Sequence, residues 1–511
     1  MQATVTKPGP DSAGRPSPAG HRPDPGLAAA ATLAQLVSNG RWTIPLASWI
    51  APVFLLRLVR TQPPLRGLSL AYLVILATWL LGWRGMVPLP GVFYYLLGAG
   101  LALVALLPLA VDRLLAQKVG GFASTLVLPL AWVAMEYGTA VLSPYGSWGA
   151  LAYTQAGNLP LLQVLSLTGI YGVSFLMTWL AATVNWAWER AFRSEEVRTG
   201  FVLYGGVLSL VLLAGGARLA FVPPRGPTVA VASIAVEWGE AADIWRTLSG
   251  ELDAAALELV RDKTRQLRER LFELSEQQSR AGARIVVWAE LNGLMLKDDE
   301  PALLEHARRL ARERDVYLFL ALGSFTPGAP LMENKVVVVD PRGGSPLTYF
   351  KARPVPGDPE TGGPERIQRL ATPYGTLATA ICFDMDFPGF IRQTGQSGAD
   401  LMLVPAKDWR EIDPVHTEMA ALRAIENGVS LVRPTYGGLS ASVDYQGRTL
   451  AAMDYFTTQP RVLVSHVPTR GVRTVYSSIG DTFAWLCVAA LLALAGWLGT
   501  RSRLAARPTR A

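Results

Sequence analysis

The sequence predicts a polytopic α-helical membrane domain of about eight spans combined with a soluble α/β domain. Half of the 511 residues are hydrophobic and only 17% are charged, which is too apolar for a soluble protein of this length. Long uncharged runs fill the first two-fifths of the chain and return near its end. Residues 222–480 instead have ordinary charge density and alternate apolar strands with amphipathic helices, a pattern typical of layered α/β domains.

The first 25 residues are rich in Pro, Gly, Ser and Arg and contain no apolar stretch. Such a segment cannot bury enough apolar surface to fold, so we predict a disordered basic tail at 1–25. No short apolar core is followed by a small-residue cleavage site of the secretory type. We therefore expect the first apolar segment to remain in the protein as a membrane helix.

Residues 26–221 hold enough apolar sequence for about seven spans of roughly 20 residues each. The predicted spans lie near 26–40, 43–60, 67–87, 91–112, 121–142, 165–188 and 199–221. An eighth span is predicted at 481–499, and a basic tail, 500–511, follows it.

Basic residues are frequent in alternate loops of this predicted helical domain and scarce in the others. The basic loops and tail contain Arg57, Arg60, Arg66, Arg113, Lys118, Arg190, Arg193, Arg198, Arg501, Arg503, Arg507 and Arg510. Because loops rich in Lys and Arg face the cytoplasm, we expect both termini to be cytoplasmic and the soluble domain to be extracytoplasmic. The net charge of +7 resides mainly in these loops and tails, so it indicates topology and no nucleic-acid partner.

Three reactive side chains each end an apolar strand of the soluble part. Glu290, Lys351 and Cys382 end strands that begin near residues 284, 347 and 377, so the three groups can converge at one edge of a sheet. A thiol is mostly protonated at neutral pH and needs a base, and a nearby cation to lower its pKa. Glu290 can be the base, and Lys351 the cation and a donor to the oxyanion of an attacked carbonyl.

Taken singly, each of these residues has a structural interpretation. A free cysteine is usually a buried packing residue, which is how we interpret Cys487 in the last apolar segment. A Glu or Lys at a strand end is usually a solvated cap. The chain has two cysteines, which cannot form a disulfide framework. The combination of the three side chains favours catalysis.

The order Glu, Lys, Cys and the residues around it resemble the nitrilase (carbon-nitrogen hydrolase) superfamily, and within it the membrane branch of apolipoprotein N-acyltransferases. The motifs that carry the resemblance are Trp288-Ala-Glu290, Tyr349-Phe-Lys351, Ile381-Cys-Phe-Asp384, Leu422-Arg-Ala-Ile-Glu-Asn-Gly428, Gly438-Leu-Ser-Ala441, Asp444-Tyr-Gln-Gly-Arg448, Ser478-Ile-Gly-Asp481, Ser147-Trp-Gly-Ala-Leu-Ala-Tyr-Thr-Gln155 and Leu167-Thr-Gly-Ile-Tyr-Gly-Val-Ser-Phe175. The resemblance implies a four-layer αββα sandwich over 222–480, with Glu290, Lys351 and Cys382 as its catalytic triad. It also implies location in the cell (inner) membrane.

The same resemblance implies N-acyl transfer from a membrane phospholipid, through a thioester on the cysteine, to the N-terminal amine of a lipidated apolipoprotein. No metal or other cofactor is implied. His416 stands alone, and the sequence contains no zinc, phosphate-loop or dinucleotide motif. Two alternatives stay open: a membrane-tethered amidase that uses water as acceptor, and a pseudoenzyme that serves as a scaffold. The intact triad argues against the scaffold.

Several residues around the triad are predicted to support it. Asn334 matches a family position close to the triad. The resemblance also implies a second carboxylate that orients the lysine; it could be Asp358 or Glu360, and we favour Asp358. Phe383 and Asp384 flank the thiol, and a backbone N–H just after a nucleophile commonly joins the oxyanion hole.

Aromatic residues complete the predicted site. Trp148 and Tyr153 are expected to line a path for an acyl chain, although most such residues are interfacial anchors. Trp409 is retained from a family motif, Asn-Asp-x-Trp-Phe-Gly, that this chain replaces with Ala406-Lys-Asp-Trp-Arg410. A second departure is Ala289-Glu-Leu-Asn-Gly293, where the family has a Pro-Glu-x-x-x-Pro pattern. These departures lie in loops that grip substrates, so they concern the acceptor more than the chemistry.

Overall fold

The computed structural model describes residues 25–193, 195–239, 244, 253–329 and 331–505. The predicted tail at 1–25 lies outside these residues except for Pro25, which begins the first helix. Each of the seven predicted spans of the N-terminal part contains helix. The helices are α1 Pro25–Leu36, α2 Pro45–Thr61, α3 Pro64–Gly82, α4 Val92–Val119, α5 Val127–Leu142, α6 Leu159–Leu162, α7 Leu165–Thr168, α8 Tyr171–Glu189 and α9 Glu195–Phe221.

The α/β domain follows α9 and contains 15 strands among its described residues. Its elements are β1 Thr228–Ile234, α10 Ala254–Arg280, β2 Ile285–Trp288, β3 Gly293–Leu296, α11 Glu300–Arg314, β4 Tyr317–Phe325, β5 Glu333–Val339, β6 Leu347–Phe350, β7 Arg369–Thr372, β8 Gly375–Thr379, α12 Pro388–Gln396, β9 Leu401–Leu403, β10 Ala406–Lys407, α13 Val415–Asn427, β11 Ser430–Arg433, β12 Thr435–Tyr436, β13 Leu439–Val443, β14 Thr449–Asp454, β15 Val462–Pro468 and α14 Val475–Ile479. The last helix is α15, Thr482–Ala505, so it continues past the predicted end of the span at 499.

Five helical segments are long and apolar enough to cross a membrane: α3, α4, α5 with the turn before it, α9 and α15. The bent pair formed by α6–α7 and α8, with an angle of 117°, would make a sixth span. The bend lies at Gly169, whose φ is +63° and where a Cβ would collide with the ring of Tyr476. Helices α1 and α2 have 12 and 17 residues. Their lengths of about 18 and 25 Å are below the roughly 30 Å of a bilayer core.

The outer surface of these helices is apolar. Large aliphatic side chains are more than half exposed along α3, α4, α9 and α15, among them Leu73, Leu103, Leu107, Leu114, Leu210, Leu213 and Leu492. An apolar surface of this extent on several helices is explained by contact with lipid. The prediction of a helical membrane domain is therefore confirmed.

The α/β domain is a sandwich of two sheets. One has the strand order β15-β1-β2-β4-β5-β6, with β3 also paired to β4, and the other has the order β14-β13-β11-β9-β8-β7. Apolar residues from both sheets form one buried core. Helices α10 and α11 pack on the first sheet, and α13 packs on the second. The four-layer αββα arrangement implied by the family resemblance is confirmed.

The loop after α5 contacts the α/β domain. Ser147 donates from its backbone N and its Oγ to the carbonyl oxygen of Asp386, at 2.8 and 2.7 Å. Gly146 has a φ of +57°, and a Cβ there would collide with the same carbonyl. Farther along, Gln163 donates to the carbonyl of Gln446 at 3.0 Å. These contacts hold the helical domain against the α/β domain near residue 386.

Candidate active site

Glu290, Lys351 and Cys382 line one cavity of about 370 Å³. Glu290 follows β2 and Lys351 follows β6 in the first sheet, whereas Cys382 follows β8 in the second. The three groups therefore meet between two sheets, where sequence analysis expected one sheet edge. All three are buried, with exposed fractions of 2%, 2% and 4%.

Lys351 lies between two carboxylates. Its Nζ is 2.9 Å from Oε1 of Glu290 and 3.1 Å from Oε2 of Glu360. Asn334 donates from Nδ2 to Oε1 of both carboxylates, at 2.7 and 2.8 Å. The other oxygen of Glu290, Oε2, is buried without a hydrogen-bond partner among the described residues. One face of Glu290 is thus fixed by Lys351 and Asn334, and the other oxygen is available to a reacting proton.

The second carboxylate is Glu360, so the preference for Asp358 was wrong. Residues 332 and 360 form a β-bridge, and Met332 accepts a hydrogen bond from Thr361 N at 2.9 Å, which holds Glu360 on the inner side of its loop. Asp358 is exposed at the cavity wall and has no cation within 4 Å among the described residues. Sequence alone could not distinguish them, because the two residues are neighbours in one loop and only the loop's anchoring to Met332 separates their directions.

The nucleophile is presented by a strained turn. Cys382 has a φ of +46°, a left-handed conformation that costs a non-glycine residue about 1–3 kcal/mol. The turn is held by the bond from Cys382 N to Pro405 O, at 2.9 Å, and the Sγ donates to the carbonyl of Lys407 at 3.5 Å. Phe383 lines the cavity beside it, and its N–H lies in the first turn of a 3-10 helix, where backbone donors have no helical partner.

The two carboxylates beside Lys351, Glu290 and Glu360, have pKa values shifted in opposite directions. Burial raises the pKa of Glu290, but Lys351 and Asn334 outweigh burial and hold it below its usual range. Burial raises the pKa of Glu360 above its ordinary value despite the same lysine. Two carboxylates with pKa values moved apart are typical of a site that needs one ionised base. Glu290 is that ionised carboxylate.

The thiol was expected to have a lowered pKa, and this is wrong. Burial and the negative charge of Glu290 raise the pKa of Cys382. Lys351 does not reverse this, because its charge is already balanced by Glu290 and Glu360. The resting thiol is therefore protonated, and its proton must move as the sulfur attacks.

His416 is a site residue that sequence analysis set aside. It lies in the first turn of helix α13. Its Nδ1 is 2.7 Å from Oδ1 of Asp408, and its Nε2 is 3.2 Å from Oδ1 of Asp386. Burial lowers the pKa of His416, but the two aspartates outweigh burial and raise it well above its ordinary value. The resulting imidazolium opposes the rise in the pKa of Cys382. No local motif could reveal this, because the partners lie 8 and 30 residues away.

Cys382, Asp408 and His416 also have the chemistry of metal ligands, and their ligand atoms lie within 4.8 Å of one another. A guanidinium competes for the same group, because Arg433 donates to both oxygens of Asp408 at 2.8 and 3.1 Å. Both oxygens of Asp408 are thus hydrogen-bonded to cationic side chains of the protein, His416 and Arg433.

Asp384 supports the turn of the nucleophile from outside the cavity. Its carboxyl accepts from Tyr349 Oη at 2.6 Å, from Ile381 N at 2.9 Å and from Arg353 N at 2.8 Å. These bonds tie the end of β6 to the end of β8. Burial raises the pKa of Asp384 to about 7.

Two of the three predicted aromatic residues line the cavity. Trp148 and Trp409 do so, and Trp409 donates from Nε1 to the carbonyl of Gly85 at 2.7 Å. Tyr153 lies outside the cavity and is buried at the junction between domains, where it bonds to Ser147 and Arg423. Its predicted place on an acyl-chain path is therefore wrong, since its hydroxyl is used in domain contact.

The cavity continues from the catalytic residues into the helical domain. Its inner wall is formed by apolar side chains of α2 to α5: Leu55, Ile75, Trp79, Leu97, Leu101, Val104, Leu109, Trp132 and Met135. One compartment thus has a reactive polar end and a long apolar end. Such a shape suits a ligand with a carbonyl group attached to a hydrocarbon chain.

The halves of the chain match two family descriptions. Residues 27–183 match the N-terminal domain of apolipoprotein N-acyltransferase, and residues 231–476 match the carbon-nitrogen hydrolases. An apolipoprotein N-acyltransferase of Geobacter metallireducens is 28% identical, over 87% of this chain and 89% of its own length. The chain belongs to the apolipoprotein N-acyltransferase family. The enzyme is thus an N-acyltransferase of the nitrilase superfamily, as the motifs indicated.

One further relative and one solved structure are similar to parts of this chain. The apolipoprotein N-acyltransferase of Gloeobacter violaceus is also 28% identical to this acyltransferase, over 90% of this chain and 91% of its own length. Among solved structures, an amidase from Nesterenkonia sp. is 19% identical and aligns with a TM-score of 0.40 over 51% of this chain and 95% of that chain.

Proposed function

We propose that the enzyme moves an acyl chain from a membrane phospholipid, through a thioester on Cys382, to the N-terminal amine of a lipidated apolipoprotein. The observation that carries this proposal is the single cavity in which Glu290, Lys351 and Cys382 face apolar side chains of the helical domain. An acyl chain that enters from the bilayer avoids exposure to water, which would cost about 0.8 kcal/mol per methylene.

In the first half-reaction, Oε2 of Glu290 takes the thiol proton as Sγ of Cys382 attacks the ester carbonyl. The oxyanion that forms is stabilised by Lys351 and by the N–H of Phe383. Collapse of this intermediate breaks the C–O bond, and the proton on Glu290 goes to the departing lysophospholipid. The His416 imidazolium offsets part of the charge on the sulfur.

In the second half-reaction the acceptor enters as a neutral amine and attacks the thioester carbonyl. Glu290 takes a proton from the amine as the C–N bond forms, and the C–S bond then breaks. The thiolate recovers a proton from Glu290, which returns the site to its resting state. Asn334 and Glu360 act through Lys351 and Glu290, so they are positioning residues.

The proposed topology places the catalytic domain outside the cytoplasm, at the outer face of the cell (inner) membrane. Helices α3, α5, α9 and α15 meet the catalytic domain at one end, and their other ends lie beside the basic loops or carry basic residues such as Arg66, Arg198 and Arg501. Basic helix ends face the cytoplasm, which supports an extracytoplasmic catalytic domain and cytoplasmic termini.

The proposal is tested with purified enzyme, a fluorescent phospholipid and a synthetic diacylated lipopeptide. We expect lysophospholipid and a triacylated peptide to form together, and neither to form with Cys382→Ala. Cys487→Ala is the matched control, since that cysteine lies in α15 outside the cavity. Free fatty acid in place of acylated peptide would instead identify a hydrolase. Activity that survives Cys382→Ala would reject both.

A further inference from the structure

The loop after β9 places a second lysine at the reactive end of the cavity. Lys407 ends the short strand β10, which pairs with Tyr436 of β12. Its carbonyl accepts from the thiol of Cys382 at 3.5 Å, so its backbone is one hydrogen bond from the nucleophile. Its side chain is half-buried and lines the cavity, with Nζ 5.6 Å from the ring centre of Trp238.

The positive charge of Lys407 influences Glu290, but no described carboxylate forms an ion pair with it. The pKa of Glu290, which burial raises and Lys351 lowers, is lowered further by Lys407. Yet no carboxylate of the described residues lies within 4 Å of its Nζ, whereas Lys351 contacts Glu290 and Glu360. Lys407 is thus the cavity-lining lysine whose charge the described residues leave unpaired.

Filling this cavity with lipid would remove water from the ammonium of Lys407. Desolvation of an unpaired charge is costly, and the cost falls when the entering molecule brings the opposite charge. Asp358, also at the cavity wall, is exposed, and its carboxylate is not within 4 Å of the lysine Nζ. An anionic group on the ligand is the partner that this arrangement favours.

A second cation lies on the same loop. Arg410 is exposed, its guanidinium lies 4.4 Å from the ring centre of Phe456, and none of the described carboxylates is within 4 Å of it. Both cations fall in the segment where the sequence departs from the Asn-Asp-x-Trp-Phe-Gly pattern: Lys407 stands two residues before Trp409, and Arg410 directly after it. Lys407 stands where the family pattern has an aspartate, so the charge at that position is reversed.

We propose that Lys407 binds the phosphodiester of the acyl donor and selects phospholipids with a net negative headgroup over zwitterionic ones. The inference rests on the proposed function, since it assigns the headgroup site of the same donor. A zwitterionic headgroup also has a phosphate, but its ammonium is repelled by Lys407. Anionic glycerophospholipids are therefore the preferred donors.

The test measures the thioester on Cys382 by intact mass, in a neutral detergent, with three donors of identical acyl chains: phosphatidylglycerol, phosphatidylethanolamine and diacylglycerol. For the wild type we expect a KM for phosphatidylglycerol about fivefold below that for phosphatidylethanolamine, the size of one partly exposed charge contact. Lys407→Gln should abolish that difference, and the ratio of the rate with phosphatidylglycerol to the rate with diacylglycerol should fall with it. High salt should weaken the preference of the wild type in the same direction.

Arg461→Gln is the matched control. Arg461 also lies over an aromatic ring, that of Tyr455, but it pairs with Glu237 and does not line the cavity. The substitution Arg461→Gln should leave the donor preference unchanged. The inference is overturned if wild type uses both phospholipids equally, or if Lys407→Gln lowers the rate with diacylglycerol as much as with phosphatidylglycerol. No thioester from any lipid would instead overturn the proposed function.

Discussion

The replacement Lys351→Met separates the catalytic role of this lysine from its structural role. Without the ammonium, Glu290 and Glu360 remain as two buried carboxylates whose cation is gone, a change that costs about 3–5 kcal/mol of stability. The pKa of Glu290 then rises, because burial is no longer opposed by Lys351. The loss of one oxyanion donor alone lowers the acylation rate by about 10²–10³.

Lys335→Met provides the matched comparison on the neighbouring strand. Lys335 is equally buried and pairs with two carboxylates, Glu300 and Glu333, at 2.8 and 2.7 Å, but it lies outside the cavity. Its partners are more exposed, so we expect a smaller loss, of at most about 3 kcal/mol. The rate of acylation per folded molecule should not change.

The assay is single-turnover formation of the thioester, followed by intact mass, with the folded fraction measured by a thermal scan in detergent. Lys351→Met should lose at least about 10² in rate at temperatures where both variants are folded. If Lys335→Met loses activity to the same degree, or if Lys351→Met acylates at the rate of wild type, the assignment of Lys351 is wrong.

Three further predictions concern the surroundings of the thiol. Glu360→Gln should slow acylation about tenfold or more by loosening Lys351, whereas Asp358→Asn should not; the same single-turnover assay distinguishes them. The folded pKa of Asp384, about 7, lies above its ordinary value of 3.8. The folded state therefore retains this proton longer, and stability should fall as pH rises from about 4 to about 7 and then level off. Asp384→Asn should remove that slope in thermal scans across pH, and an unchanged slope would contradict the assignment. Gly146→Ala should weaken the contact between domains and lower the melting temperature in detergent, because its Cβ collides with a carbonyl of the catalytic domain; an unaltered melting temperature would mean that the loop adapts.

The strands that carry the triad could be predicted from the sequence. The pairing of the strands and the contacts among the site residues could not. Runs of apolar residues identified the strands that deliver Glu290, Lys351 and Cys382, because buried strands have a strong local signal. The two-sheet sandwich came from family resemblance, since periodicity does not specify which strands pair. The choice of Glu360 and the position of His416 depend on contacts between distant segments, which no local pattern encodes.

The helical domain gives a similar lesson. Composition located the long helices, because apolar runs of this length have few alternatives. The break at Gly169 depends on the ring of Tyr476, some 300 residues later, so the sixth predicted span could not be recognised as bent. Tyr153 was assigned to the acyl-chain path for the same reason: its partner Arg423 lies far away in sequence.

The most direct test of whether a phospholipid acylates Cys382 is the intact mass of the enzyme after incubation with one phospholipid and no acceptor. The account predicts a single added acyl group, located on Cys382, that disappears when a diacylated lipopeptide is supplied. An acyl group on any other residue, or a thiol that stays unmodified while lysophospholipid accumulates, would contradict it.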